Sequence, residues 1–96
     1  MTTPVIFRKE FGDSVIAFFP TLPGNMHIST CQCYAHIGQH STAHIDYYKG
    51  TDPATPDEYK DLLKELQWLG YDLKVYTRWQ QNFHTERLEV LRSYGN

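Results

Sequence analysis

The sequence predicts an α+β domain: an antiparallel sheet of four to five strands, with one main helix packed on a face and a short C-terminal helix beside it. Three observations predict it. Two β-branched and aromatic runs flank Gly12-Asp13-Ser14, a helix-start signature stands at Thr55-Pro56-Asp57-Glu58, and an alternating run from Tyr71 to Trp79 follows directly after Gly70.

Val5-Ile6-Phe7-Arg8-Lys9-Glu10-Phe11 and Val15-Ile16-Ala17-Phe18-Phe19 form the arms of a hairpin, because Gly12-Asp13-Ser14 between them tolerates positive φ. In the first arm Val5, Phe7, Lys9 and Phe11 share one face and Ile6, Arg8 and Glu10 the other, so burial mainly on one side is expected. The second arm is apolar throughout and should lie more centrally. Pro20-Thr21-Leu22-Pro23-Gly24-Asn25 ends it, since proline lacks the ladder donor and Pro-Gly-Asn supplies turn chemistry.

A third strand is expected from Ile28 to Tyr34. Ser29, Cys31 and Cys33 alternate with Ile28, Thr30, Gln32 and Tyr34, so both thiols point to one face. Between Ala35 and Gly50, Gly38 and Ser41-Thr42 weaken a helix and Tyr47-Tyr48 favour a strand. The pattern reads as a loop, a short strand from Ala43 to Tyr48 and a linker from Gly50 to Ala54.

Thr55 as N-cap, Pro56 at the first helical position and Glu58 at the third make a capping box. The helix from Pro56 to Leu69 carries Tyr59, Leu62, Leu63, Leu66 and Leu69 on one stripe, and Gly70 caps it. The following strand sets Leu73, Val75 and Thr77 against Lys74, Tyr76 and Arg78, and Thr85 to Arg92 reads as a short helix packing by Leu88 and Leu91. The 96 residues make one domain, with a core over 5–79 and a C-terminal extension over 80–96.

A net charge of -2 and a pI near 6.2 give no overall drive toward phosphate backbones or anionic lipid. No apolar run approaches the roughly 20 residues that span a bilayer, and Met1-Thr2-Thr3-Pro4 lacks a basic n-region. A cytoplasmic protein with no membrane partner is expected, its two cysteines reduced, because neighbours at i and i+2 make a strained bridge.

Val5-Ile6-Phe7-Arg8-Lys9, Val15-Ile16-Ala17-Phe18-Phe19-Pro20, Cys33-Tyr34-Ala35-His36-Ile37-Gly38-Gln39-His40 and Gly70-Tyr71-Asp72-Leu73-Lys74-Val75 together resemble a family of short uncharacterised proteins of bacteria, phages and other mobile elements. The likeness covers roughly residues 5–78. It implies a small cytosolic protein in a mobile-element setting and transfers no catalytic role.

Reactive side chains concentrate between Cys31 and His44, where both cysteines and three of the five histidines lie. Cys31 and Cys33 with two of His36, His40 and His44 would offer zinc four ligands. Against this, Cys-x-Cys is less common than Cys-x2-Cys, and Gly38 and Ser41-Thr42 disfavour the helix that histidines four apart would need. Buried thiols acting as small hydrophobes are the favoured reading, so no cofactor is expected and zinc is the alternative. A thiolate from either cysteine, activated by histidine and oriented by Asp46, has the chemistry of a nucleophile, but no family motif surrounds it and no catalytic residue is assigned.

Lys74, Tyr76, Arg78 and Trp79 interleave basic and stackable groups, with Arg87 and Arg92 beyond, as a nucleic-acid surface would; Asp72, Glu86 and Glu89 offset them. Aromatics outnumber what one small core encloses, and Trp68 stands off the leucine stripe as a candidate external contact. The favoured function is therefore a non-enzymatic binding or interaction protein, self-associating or meeting another protein, as an accessory or inhibitor protein of a phage or mobile element. Its expected contact residues are Tyr34, Gln39, Trp68, Tyr76, Arg78 and Trp79. A Cys/His-centred metal protein or small enzyme ranks second, a nucleic-acid module third.

Overall fold

A computed structural model describes residues 2–12, 14–35 and 39–94, Gln39 by its backbone. In chain order the elements are β1 (Thr3–Glu10), β2 (Ser14–Phe19), β3 (Thr30–Ala35), β4 (Gln39–His44), α1 (Ile45–Lys49), β5 (Asp52–Pro53), α2 (Pro56–Trp68), β6 (Leu73–Tyr76) and α3 (Asn82–Tyr94). They confirm the α+β class. The strands run β4-β3-β2-β1-β5, with β6 also beside β1.

The hairpin is in place, with Ile6 opposite Phe18 and Glu10 opposite Ser14. Its turn holds Phe11 at φ 43° and Gly12 at φ 77°. The far edge of β1 is divided: Thr3 to Ile6 pair with β6 in parallel, the one parallel pairing among the described strands, and Arg8 and Lys9 pair with β5.

β1 is buried on both faces, not mainly on one, because helices cover the sheet from both sides. Under α2, Leu62 and Leu66 pack on Val5, Phe7, Ala17, Phe19 and Tyr34. On the opposite face, Tyr48 and Phe83 pack on Ile6, Phe18, Cys31 and Cys33. The C-terminal helix thus lies across the sheet from α2 and not beside it. Leu66 and Phe83 are fully buried, and each such side chain contributes about 1.5–3 kcal/mol of apolar transfer.

The capping box forms as the residues require. Thr55 Oγ1 accepts from the Glu58 N–H at 3.3 Å, and Glu58 Oε1 accepts from the Thr55 N–H at 2.9 Å. At the other end Gly70, at φ 107°, lets its own N–H reach the Gln67 carbonyl at 3.0 Å and the Tyr71 N–H reach Leu66 at 3.1 Å, which closes the helix with two reverse bonds.

Three local expectations are corrected. The strand expected over Ala43–Tyr48 is β4 followed by α1, because His44 Nδ1 accepts the Asp46 N–H at 3.1 Å and starts a helical turn. That turn stacks Tyr48 edge-on to Phe18 at 5.3 Å, and this burial overrides the strand preference of tyrosine. The linker over Gly50–Ala54 contains β5, anchored where Arg8 Nε donates to Thr51 Oγ1 at 3.0 Å. The last strand stops at Tyr76, since Trp79 folds back on Tyr48 at 4.9 Å and Phe83 at 5.8 Å. In α3, Phe83 and Arg87 are the buried anchors, while Leu88 and Leu91 are half-buried.

Candidate functional site

The two thiols are locked into the core. Strand alternation aims Cys31 and Cys33 at the face covered by α3, where both are buried. Burial, reinforced by the neighbouring Cys33, pushes the Cys31 thiol up to about 12 despite the nearby Arg87. Burial also raises Cys33, against a hydrogen bond with Ser41 whose oxygen lies 3.0 Å from the sulfur. Both therefore stay protonated and weakly nucleophilic at neutral pH.

The register separates the thiols from the histidines. Cys31 stands opposite Ala43 and Cys33 opposite Ser41, whereas His40 stands opposite Tyr34 on the α2 face. There His40 Nε2 lies 2.9 Å from the Tyr71 hydroxyl. His44 turns its Nδ1 to the Asp46 N–H, and its carboxylate neighbour Asp46 lies 3.5 Å from Lys49 Nζ. His36 lies outside the described residues. Among the described residues no three His, Cys, Asp or Glu side chains converge on a metal position, so Cys31, Cys33, His40 and His44 are not brought together as a ligand set.

An open groove of about 490 Å³ runs over Cys33, Ser41, His44, Glu10 and Tyr47. Its polar groups are already committed to one another. The Tyr47 hydroxyl donates to the Glu10 carboxylate, and this hydrogen bond leads the causes that push the phenol up to about 12. With Cys33 on Ser41 and His44 on α1, the groove holds no thiolate and no base poised against one.

The basic strand is likewise absorbed. Tyr76 stands edge-on to Phe83 at 5.1 Å, and Trp79 is wedged between Tyr48 and Phe83. Neither ring offers a free stacking platform. Glu86 and Glu89 of α3 share a cleft of about 540 Å³ with Lys74 and Tyr76, so carboxylates oppose a phosphate there. Arg87 is buried, whereas Lys74, Arg78 and Arg92 are exposed.

The C-terminal end of α2 keeps its apolar groups in water. Trp68 is 85% exposed and Leu69 46%. Leu69, Gly70 and Tyr71 border a shallow pocket of about 410 Å³ whose remaining wall is His40 of β4. Tyr34, expected as a contact residue, is instead buried, its hydroxyl donating to the Glu65 carboxylate beneath α2. The Gln39 side chain lies outside the described residues. Leu69, assigned to the core stripe from its spacing, was missed as a surface residue; its place just before Gly70, where the helix stops, is the signal that it leaves the stripe.

No family model matches the chain, and no curated protein or solved structure matches it. Among the described residues no helix is long and apolar enough to cross a membrane.

Proposed function

We propose that the chain is a small binding protein that acts through protein contacts, with the end of α2 as its contact surface. The observation that supports this is Trp68, 85% exposed beside an exposed Leu69. Tryptophan is the residue most enriched among interface hot spots, where truncation costs about 2 kcal/mol or more. Leaving it in water gains the fold nothing. The protonated, buried thiols and the mutually committed groove favour binding over covalent chemistry. The proposed setting is the one that the resemblance implies, an accessory or inhibitor protein carried by a phage or mobile element.

The test is photo-crosslinking in the producing cell from a probe residue at position 68, against the same probe at Lys60, an exposed position earlier on α2. A discrete adduct from position 68 alone, lost when untagged wild-type protein competes and retained when Trp68→Ala protein competes, is expected. Identical patterns from both positions would sink the reading.

A further inference from the structure

β4 is the last strand on its side of the sheet, with β3 as its one partner among the described strands. The Ile45 N–H bonds back to the Ser29 carbonyl at 2.9 Å. In an antiparallel pair, residues that turn their N–H and C=O toward the partner alternate with residues that turn them away. Ser41 and Ala43 therefore face β3, and His40 and Thr42 present theirs outward. The partner strand agrees, since Gln32, opposite Thr42, sends its N–H to Leu22 at 2.9 Å and not to β4.

The opposite side of the sheet is guarded; on this one the Thr42 hydroxyl donates to the Gly24 carbonyl at 2.8 Å, but among the described strands none pairs with the outer edge of β4. β5 is two residues long and contains Pro53, and β6 carries Lys74; short length, proline and lysine are devices that keep an edge from pairing. Gln39-His40-Ser41-Thr42-Ala43-His44 has none of them, and no Asp, Glu or Arg.

We propose that β4 pairs with β4 of a second copy, antiparallel across a two-fold axis, so that one sheet runs through both chains. The proposal rests on the reading of the α2 end as a contact surface, because His40 joins that pocket to the strand edge. Centred on Ser41, the pairing sets His40 against Thr42 of the second copy and Thr42 against its His40. The four outward N–H groups of His40 and Thr42 in the two copies then meet outward carbonyls. Ser41 faces its own counterpart, and no carboxylate, lysine or arginine of either strand meets another, so an uncharged edge is complementary to itself. With the axis normal to the sheet, both α2 ends lie on one face and flank it.

Sedimentation of untagged protein over a concentration series, with amide exchange read at His40 and Thr42, tests this. The expected result is a dimer whose His40 and Thr42 amides exchange slowly and become fast on dilution. Thr42→Pro removes an outward donor while leaving the β3 ladder intact, and should give a monomer. Ser41→Lys, at an exposed position, opposes two like charges and should do the same should the proline variant fail to fold. A wild-type monomer at every concentration would overturn the pairing, as would a dimer that survives the folded variants. A monomer that still yields the position-68 adduct removes the second copy alone; a dimer without that adduct removes the contact reading of Trp68.

Discussion

Arg87 Nη1 donates to the carbonyl of Pro20 at 2.7 Å, joining residues 67 apart in the chain. Its Nε donates to the Ile28 carbonyl at 2.8 Å, and the guanidinium lies 5.8 Å from the Trp79 ring centre. The side chain is 1% exposed, and no carboxylate among the described residues lies within ion-pair distance. Carbonyl dipoles from the loop after β2 take the place of a counter-ion, and α3 is held to the sheet through them.

Replacing Arg87 with methionine keeps the bulk but leaves both carbonyls without donors. A loss of about 2–4 kcal/mol is expected in chemical denaturation, with α3 amides exchanging first. Arg87→Lys should fall between the two, since an ammonium lacks the planar fork. Unchanged α3 protection in Arg87→Met would mean that Phe83 alone holds the helix.

The thiols should be nearly inert until the protein unfolds. A rise of Cys31 from 9.0 to about 12 cuts its thiolate fraction about a thousandfold at neutral pH, so a thiol-specific dye should label the native protein slowly and the denatured protein at once. The fold favours the neutral form. The associated stability is complete below pH 9.0 and is lost as pH climbs toward 12. Cys31→Ala should flatten part of that alkaline decline, and rapid native labelling at Cys31 would contradict its burial.

Acid acts on the α2 side of the sheet. The Thr55 N–H, followed by Lys9 at 2.9 Å, holds the Glu58 carboxyl down from 4.5 to about 2. A depressed carboxylate stabilises the folded state above pH 4.5, and that contribution disappears as pH falls toward 2. Thermal midpoints over this window should fall less steeply in Glu58→Gln than in wild type; parallel curves would assign the acid sensitivity elsewhere.

Phe11 sits at φ 43° with 87% of its surface in water, a backbone region that costs a bulky residue about 1–2 kcal/mol. Asparagine enters this left-handed region more readily than phenylalanine, so Phe11→Asn should stabilise the protein by about 1 kcal/mol, raising the midpoint by roughly 4–8 °C. A lowered midpoint would show that the ring makes a contact the turn depends on.

The elements governed by local chemistry were legible in the sequence. Thr55, Pro56 and Glu58 specify the start of α2 by bonds within four residues, and Gly70 specifies its stop. Elements governed by distant partners were not. Tyr47 and Tyr48 have strand preferences, yet Phe18 and Trp79 receive Tyr48 from a helical turn. The sequence favours buried thiols in the Cys31–His44 stretch but leaves a zinc set open, because proximity in sequence does not show which face a strand residue takes; the register of β3 and β4 divides it. Arg87 read as a surface charge, since nothing local foretells that two carbonyls from another loop await it. Trp68, off the leucine stripe by helical spacing alone, was legible as exposed.

The divided edge of β1 also sets an order in time. β1 is made some seventy residues ahead of its parallel partner β6, which sets Val5 beside Val75. On the ribosome the hairpin of β1 and β2 can close early, while half of the first strand keeps open backbone groups until some seventy more residues have emerged. Late closure of that seam, and not formation of the hairpin or of α2, should govern how fast newly made chains become protease-resistant.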